Sequence, residues 1–187
     1  MSRRRQRPAP ELFQAALSGD RSSLARLLSL IERGDDDART IGRLAYPLSG
    51  SGYTVGLTGA PGAGKSTLTS SIIGHLRKQD LEIAVLAIDP SSPFTGGAIL
   101  GDRVRMQDHA TDPGVFIRSM ATRGHLGGLS LATPEAVRLL DAIGRKWILV
   151  ETVGVGQVEV EVAGKADTTV VVVNPGWGDS VQANKAG

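Results

Sequence analysis

The chain reads Gly59-Ala60-Pro61-Gly62-Ala63-Gly64-Lys65-Ser66 directly after an apolar run and directly before a helical pattern. This stretch satisfies G-x-x-x-x-G-K-[ST] in the strand-to-helix setting that separates a phosphate-binding loop from a chance match. Its glycines let successive backbone N–H groups point at an anion, and the helix N-terminus that follows favours negative charge. The Lys65 ammonium is expected to contact the β- and γ-phosphates, and the Ser66 hydroxyl to ligate Mg²⁺. The stretch therefore predicts a nucleotide-binding loop.

The segments around this loop predict a parallel sheet with helices on both faces. Short, β-branched apolar runs without alternation are typical of strands that are buried on both sides. The predicted strands are Tyr53–Thr58, Ile83–Asp89, Val115–Arg118, Trp147–Thr152 and Thr168–Asn174, and the predicted crossover helices are Gly64–Gln79 and Pro134–Arg145. Strands and helices in this order predict a three-layer α/β phosphate-loop fold whose sheet is mostly parallel.

The residues before the predicted sheet have a helical pattern of apolar residues instead of short apolar runs. Residues 1–9 are predicted to be a disordered basic arm, and residues 10–52 a helical appendage with a linker. Asp20 is a candidate N-cap for a helix that ends at Gly34. Residues 53–187 are predicted to form the phosphate-loop domain.

Charge and composition exclude several other classes of protein. The net charge is +2, and residues 1–50 contribute nine arginines against six acidic residues, so the remainder is slightly acidic. This distribution does not predict a nucleic-acid-binding surface. No apolar run approaches the roughly 18 residues of a membrane span, and no cysteine is present. A cytoplasmic protein without a membrane or nucleic-acid partner is the expectation.

Two carboxylates stand at the ends of predicted strands. Asp89 ends one apolar run and Glu151 ends another. Ligands gather beyond the carboxyl ends of a parallel sheet, where carboxylates can hold the Mg²⁺ of a bound nucleotide. The loop and these acids are compatible with a GTPase, an ATPase or a kinase, and the residues alone do not choose among them.

Four further loops carry a family resemblance. They read, in order, Asp89-Pro90-Ser91-Ser92-Pro93; Gly96-Gly97-Ala98-Ile99-Leu100-Gly101-Asp102-Arg103-Val104-Arg105-Met106; Glu151-Thr152-Val153-Gly154-Val155-Gly156-Gln157; and Asn174-Pro175-Gly176-Trp177-Gly178-Asp179. In wording, order and spacing they closely resemble the GTPases that chaperone methylmalonyl-CoA mutase. Some members of that family are named lysine/arginine/ornithine transport-system kinases or ATPases. The resemblance extends over about residues 10 to 187.

The resemblance implies a homodimeric, Mg²⁺-dependent GTPase. Such a protein binds a B12-dependent acyl-CoA mutase, assists adenosylcobalamin loading and protects the mutase from inactivation. The site residues that it implies, together with the motif, are the nucleotide-binding residues Gly59, Ala60, Pro61, Gly62, Ala63, Gly64, Lys65, Ser66 and Thr67; the metal-binding residues Ser66, Asp89, Asp102 and Glu151; the catalytic residues Lys65 and Glu151; and the switch residues Gly154, Gly156 and Gln157.

The resemblance also implies that the chain corresponds to the N-terminal part of a family protein. In the family the chain continues into a strand with an Asn-Lys-x-Asp motif, whose acid reads guanine, and then into a dimerisation arm. Asn184-Lys185-Ala186 follows no predicted strand and has no aspartate after it. Guanine selectivity therefore has no counterpart in this sequence. The alternative interpretations are an ATP-dependent kinase or ATPase linked to basic amino-acid transport, and a nucleotide-binding fragment without catalysis.

Overall fold

The computed structural model describes residues 7–34, 36–89, 109, 111–121, 128–152 and 164–174. The helices are α1 (Ala9–Leu17), α2 (Arg21–Arg33), α3 (Asp36–Ala45), α4 (Lys65–Arg77) and α5 (Gly128–Ala142), with a 3₁₀ turn at Tyr46–Leu48. The strands are β1 (Tyr53–Gly59), β2 (Ile83–Asp89), β3 (Val115–Ala121), β4 (Trp147–Thr152) and β5 (Thr168–Val172).

The five strands form one sheet in the order β3-β2-β4-β1-β5. Every pairing between neighbours is parallel. This arrangement confirms the predicted α/β fold class. Because all strands run the same way, the carboxyl ends of β1, β2 and β4 meet at one edge of the sheet.

Local signals determine where the N-terminal helices begin and end. The Asp20 carboxylate accepts a hydrogen bond from the Ser22 backbone N–H, 2.9 Å away, and thereby caps α2. Gly34 ends the same helix at φ +68°, a left-handed conformation that favours glycine. Both residues have the roles that the sequence predicts.

Helices cover both faces of the sheet. On one face, apolar residues of α1–α3 and α5 form a single core with β2, β3 and β4, in which Phe13, Leu28, Ile41, Leu86 and Met120 are fully buried. On the other face, α4 packs Ile73 and Leu76 against β1 and its neighbours. Residues 9–45 therefore contribute a layer to the same core as the sheet, while a domain boundary near residue 52 stays a prediction.

Several element boundaries differ from the predicted ones. Helix α5 begins at Gly128 rather than at Pro134, which lies inside the helix. Proline is favoured at helix starts, but here the helix continues N-terminal to it. Strand β3 continues to Ala121 rather than ending at Arg118, and β5 ends at Val172 rather than at Asn174. Helix α1 begins at the buried Ala9, inside the predicted disordered arm.

Among the described residues, no helix is long and apolar enough to cross a membrane.

Candidate functional site

The phosphate-loop motif connects the last residue of β1 to the first residue of α4. Gly59 ends the strand at φ +140°, and a Cβ there would lie 2.2 Å from the carbonyl oxygen of Val172 on β5. Gly64 precedes the helix at φ +94°. Side chains are strained or excluded at both positions, so the motif's outer glycines follow from backbone geometry. The predicted strand–loop–helix setting of residues 59–66 is present.

Lys65 folds back over this loop. Its side chain is only 7% exposed. The Nζ atom donates hydrogen bonds to the carbonyl oxygens of Gly59, 2.8 Å away, and Ala60, 2.9 Å away. These contacts hold the ammonium beside the loop. The arrangement places a positive charge where the backbone N–H groups of a phosphate loop would meet an anion.

Glu151 lies next to the loop although it is distant in sequence. It is on β4, between Leu57 of β1 and Ala87 of β2, and it is 1% exposed. Ser66 Oγ donates to its Oε1 at 2.5 Å, and Thr69 Oγ1 donates to its Oε2 at 2.9 Å. A buried carboxylate is costly unless its oxygens are satisfied, and here two hydroxyls from α4 satisfy them.

The residues present fit a magnesium ion. Mg²⁺ prefers hard oxygen ligands, usually one or two carboxylates together with phosphate and water oxygens. The Ser66 hydroxyl and the Glu151 carboxylate supply such oxygens at the start of α4, and Ser66 is 7% exposed. Among the described side chains no group of three or more His, Cys, Asp or Glu could hold a metal ion. The side chains of the other two predicted ligands, however, lie outside the part of the chain that the structure describes.

These two are Asp89 and Asp102. Asp89 is the last residue of β2, and its backbone pairs with Ala121. It therefore lies at the same edge of the sheet as the end of β4. The positions of Asp102 and of the predicted switch residues Gly154, Gly156 and Gln157 lie outside the described residues. Thr67 is exposed on the first turn of α4.

Sequence reasoning missed Thr69. This residue is 0% exposed and contacts both Lys65 and Glu151. The signal was available, because residues three apart share one face of a helix and Thr69 is three residues after Ser66. Thr58 was also missed: it is 3% exposed just before the loop, and its Oγ1 has no hydrogen-bond partner.

Comparison with known proteins identifies relatives of the whole chain. Residues 24–187 match the family described as methylmalonyl-CoA mutase-associated GTPase MeaB. A Pyrococcus abyssi protein, named as a GTPase, is 60% identical over 177 residues. GTPase ArgK of Escherichia coli is 41% identical, and the mitochondrial methylmalonic aciduria type A homolog of Caenorhabditis elegans is 35% identical. The alignments cover 95% of this chain in each case, and 55%, 55% and 48% of the respective relatives.

A solved structure of a similar protein has the same fold as this chain. The crystal structure of an LAO/AO transport system kinase superposes with a TM-score of 0.69 at 30% identity. It covers 91% of this chain, which in turn covers 51% of that protein. The chain thus spans about half the length of the relatives that it matches. The family match covers residues 24–187, which is most of the chain. The chain belongs to the methylmalonyl-CoA mutase-associated GTPase family, MeaB.

Proposed function

We propose that this protein binds GTP with Mg²⁺ at residues 59–67 and hydrolyses it. One observation carries the proposal: Ser66 and Thr69, on the helix that follows the loop, both donate to the buried Glu151 at the end of a neighbouring strand. This contact joins the phosphate loop to a carboxylate that can act on metal or water. A loop that only bound an anion would not need a buried acid beside it.

Each residue has a distinct role in this proposal. Lys65 and the N–H groups of residues 59–64 bind the β- and γ-phosphates. Ser66 and Glu151, together with Asp89 and Asp102, hold the metal directly or through water. Mg²⁺, when bound, supplies charge neutralisation on the phosphate oxygens. Glu151 orients a metal-bound or attacking water, because its carboxylate is fixed at both oxygens by α4.

The family match supports a proposal for the biological role. The matching family is described as mutase-associated, and one relative carries the name methylmalonic aciduria type A homolog. The complete protein, a cytoplasmic homodimer, uses its nucleotide state to assist adenosylcobalamin loading and protection of a B12-dependent acyl-CoA mutase. Gly154, Gly156 and Gln157 belong to the switch that reports the γ-phosphate to this partner.

The test is nucleotide titration and turnover with the complete protein. We expect GTP to bind more tightly than ATP, and hydrolysis to accelerate when the methylmalonyl-CoA mutase of the same organism is added. A preference for ATP would overturn the GTPase proposal and favour the kinase interpretation, which the name of the solved relative suggests. Binding without hydrolysis, with or without the mutase, would instead favour a non-catalytic nucleotide-binding module.

A further inference from the structure

The carboxylate of Glu151 is held by two hydroxyls that come from the same helix. Ser66 and Thr69 are three residues apart on α4, so they lie on one face of it. Each takes a different oxygen of the carboxylate, Ser66 the Oε1 and Thr69 the Oε2. The terminal torsion of a glutamate is a broad, weakly restrained rotor. Two separate anchors therefore fix an orientation that one anchor would leave free to turn.

Thr69 has a choice of acceptors. Its Oγ1 is 3.0 Å from the Lys65 carbonyl oxygen and 2.9 Å from Glu151 Oε2, and a hydroxyl has one proton to donate. Threonine in a helix commonly bonds back to the carbonyl four residues earlier, a local contact that by itself indicates no role in a site. A carboxylate is the stronger acceptor because it is charged. Thr69 is 0% exposed, so bulk water does not compete for this proton.

We propose that Thr69 is the positioning residue for Glu151. By holding Oε2, it turns Oε1 toward Ser66 and the phosphate loop. Ser66 is shared between Glu151 and the proposed metal, whereas among the described residues the hydrogen bonds of the Thr69 hydroxyl are with Glu151 and the Lys65 carbonyl. A glutamate side chain has one more rotatable bond than that of aspartate, and the hydrogen bond from Thr69 restrains this additional rotation in Glu151. The inference rests on the proposed function, since positioning has a kinetic meaning only where Glu151 acts.

Four variants of the complete protein separate positioning from packing. Thr69→Val keeps the shape and removes the hydroxyl, and Thr69→Ser keeps the hydroxyl. Ser71→Ala is the matched control, because the exposed Ser71 donates to the Thr67 carbonyl at 3.0 Å, the same back-bond on the outer face of α4. Glu151→Gln reports separately whether the carboxylate itself matters, and so tests the proposed function within the same experiment.

We expect Thr69→Val to lower kcat about tenfold or more, the range in which partners of a site residue act. The KM for GTP and the affinity for a non-hydrolysable GTP analogue should change by less than about threefold, because Thr69 does not bind nucleotide in this scheme. Thr69→Ser and Ser71→Ala should both turn over at the wild-type rate. Equal kcat losses in the Val and Ser variants would make Thr69 a packing residue and overturn the proposal.

A second readout does not depend on turnover. The midpoints of urea unfolding are compared for Thr69→Val, Glu151→Gln and the double variant. Residues in direct contact give non-additive effects, so the double variant should unfold at a higher urea concentration than the sum of the two single shifts predicts. Strictly additive shifts would contradict a direct interaction between Thr69 and Glu151. If Thr69→Val does not fold, Thr69→Cys replaces it in both experiments, since a thiol is a weak donor of similar volume.

The outcomes distinguish this inference from the proposed function. A wild-type rate in Thr69→Val together with a strong loss in Glu151→Gln would reject the positioning role and leave the GTPase proposal standing. A wild-type rate in Glu151→Gln would reject the role of Glu151, and with it the role of Thr69. Slow turnover in the Val variant, normal turnover in the Ser variant and non-additive unfolding would support both.

Discussion

Two buried carboxylates lie at opposite ends of β1, and they are satisfied in different ways. At the amino end, Asp141 of α5 accepts hydrogen bonds from the backbone N–H groups of Gly50 and Gly52, the latter at 2.7 Å, and a longer one from the Ser51 hydroxyl at 3.4 Å. At the carboxyl end, Glu151 accepts from the hydroxyls of Ser66 and Thr69. Asp141 is 8% exposed and Glu151 is 1% exposed, so burial alone does not separate them.

The two carboxylates differ in their main hydrogen-bond donors, which are backbone N–H groups for Asp141 and side-chain hydroxyls for Glu151. A backbone N–H can turn away only if the chain itself moves, so Asp141 is fixed as a clamp between α5 and the linker before β1. A hydroxyl can rotate and exchange its partner without any backbone change. In the proposed function, Glu151 is therefore the acid whose Ser66 donor can rotate toward a metal while Thr69 keeps its hydrogen bond. The comparison predicts that changes at the carboxyl end alter binding or turnover, whereas changes at the amino end alter stability.

The largest effect is expected for Lys65→Ala. Charge-assisted hydrogen bonds contribute about 1.5 to 3 kcal/mol each, so losing the ammonium should weaken triphosphate binding by about 10²-fold or more. The same change removes the donor to the Gly59 and Ala60 carbonyls, so it should also lower the free energy of unfolding without abolishing the fold. Calorimetric titration and circular dichroism measure the two effects.

Lys146→Ala is the matched control, because the exposed Lys146 donates to Ser51 near the amino end of the sheet. Its affinity for a non-hydrolysable GTP analogue should equal that of the wild type. Unchanged affinity in Lys65→Ala itself would contradict the assignment of residues 59–67 as the nucleotide-binding loop.

Glu151→Gln should have the next largest effect, on turnover rather than on binding. A carboxylate that orients water acts mainly in the transition state, and its loss should lower hydrolysis by roughly 10²-fold, the lower range for a positioned catalytic group. Affinity for a GTP analogue should change little, because the loop amides and Lys65 carry it. Single-turnover hydrolysis and equilibrium titration separate the two. Equal losses in rate and affinity would make Glu151 a metal anchor.

Asp141→Ala should affect stability and leave chemistry unchanged. The substitution leaves two backbone donors, those of Gly50 and Gly52, without their acceptor. Gly50 is exposed and Gly52 is half-buried, so each lost hydrogen bond should cost about 0.5 to 1.5 kcal/mol and the free energy of unfolding should fall by about 1 to 3 kcal/mol. Turnover per folded molecule should equal that of the wild type. A changed rate would mean that the two ends of β1 are coupled.

Its control is on the same helix. Glu135 pairs with Arg138 at 2.7 Å, and both side chains are 35% exposed. Because surface pairs contribute little, Glu135→Ala should lower the free energy of unfolding by less than about 1 kcal/mol. Urea unfolding of both variants, followed by circular dichroism, gives the comparison.

The sequence predicted the strand–loop–helix setting of residues 59–66 and the α2 caps because their physics is local. Gly59, Gly64 and Lys65 act within a few residues of each other, and so do Asp20 and Ser22. The buried strands were also predictable, because β-branched apolar runs are typical of parallel sheets. Boundaries such as the start of α5 at Gly128 were wrong.

The contacts between distant segments were not predictable from the sequence. Thr69 and Glu151 are 82 residues apart, and Gly52 and Asp141 are 89 apart. An apolar stripe on α1 or α2 predicts burial but does not name the surface that buries it. That α1 and α2 pack on the same face of the sheet as α5 depends on the whole chain. The order of the strands brings these distant segments together, and the pattern of individual residues does not encode that order.

The smallest effect is expected at Asp20, and it depends on pH. Hydrogen bonds from Ser23 and then Ser22 lower the pKa of Asp20 from 3.8 to about 2. A carboxyl with a depressed pKa in the folded state contributes stability that is present above its unfolded pKa and is lost as the pH falls through the folded one. The contribution of the Asp20 charge should therefore be complete above about pH 4 and decline between pH 4 and pH 2.

Asp20→Asn isolates this charge, because asparagine is also a good N-cap but does not ionise. Near pH 5 the wild type should unfold at a slightly higher urea concentration than the variant, since a negative charge is favourable at a helix N-terminus. As the pH is lowered to 2, the two midpoints should approach each other, because Asp20 becomes protonated in the unfolded state and increasingly so in the folded state, while every other carboxyl titrates equally in the two proteins. A difference that stays constant from pH 5 to pH 2 would mean that the cap at α2 stabilises through its hydrogen-bond geometry alone.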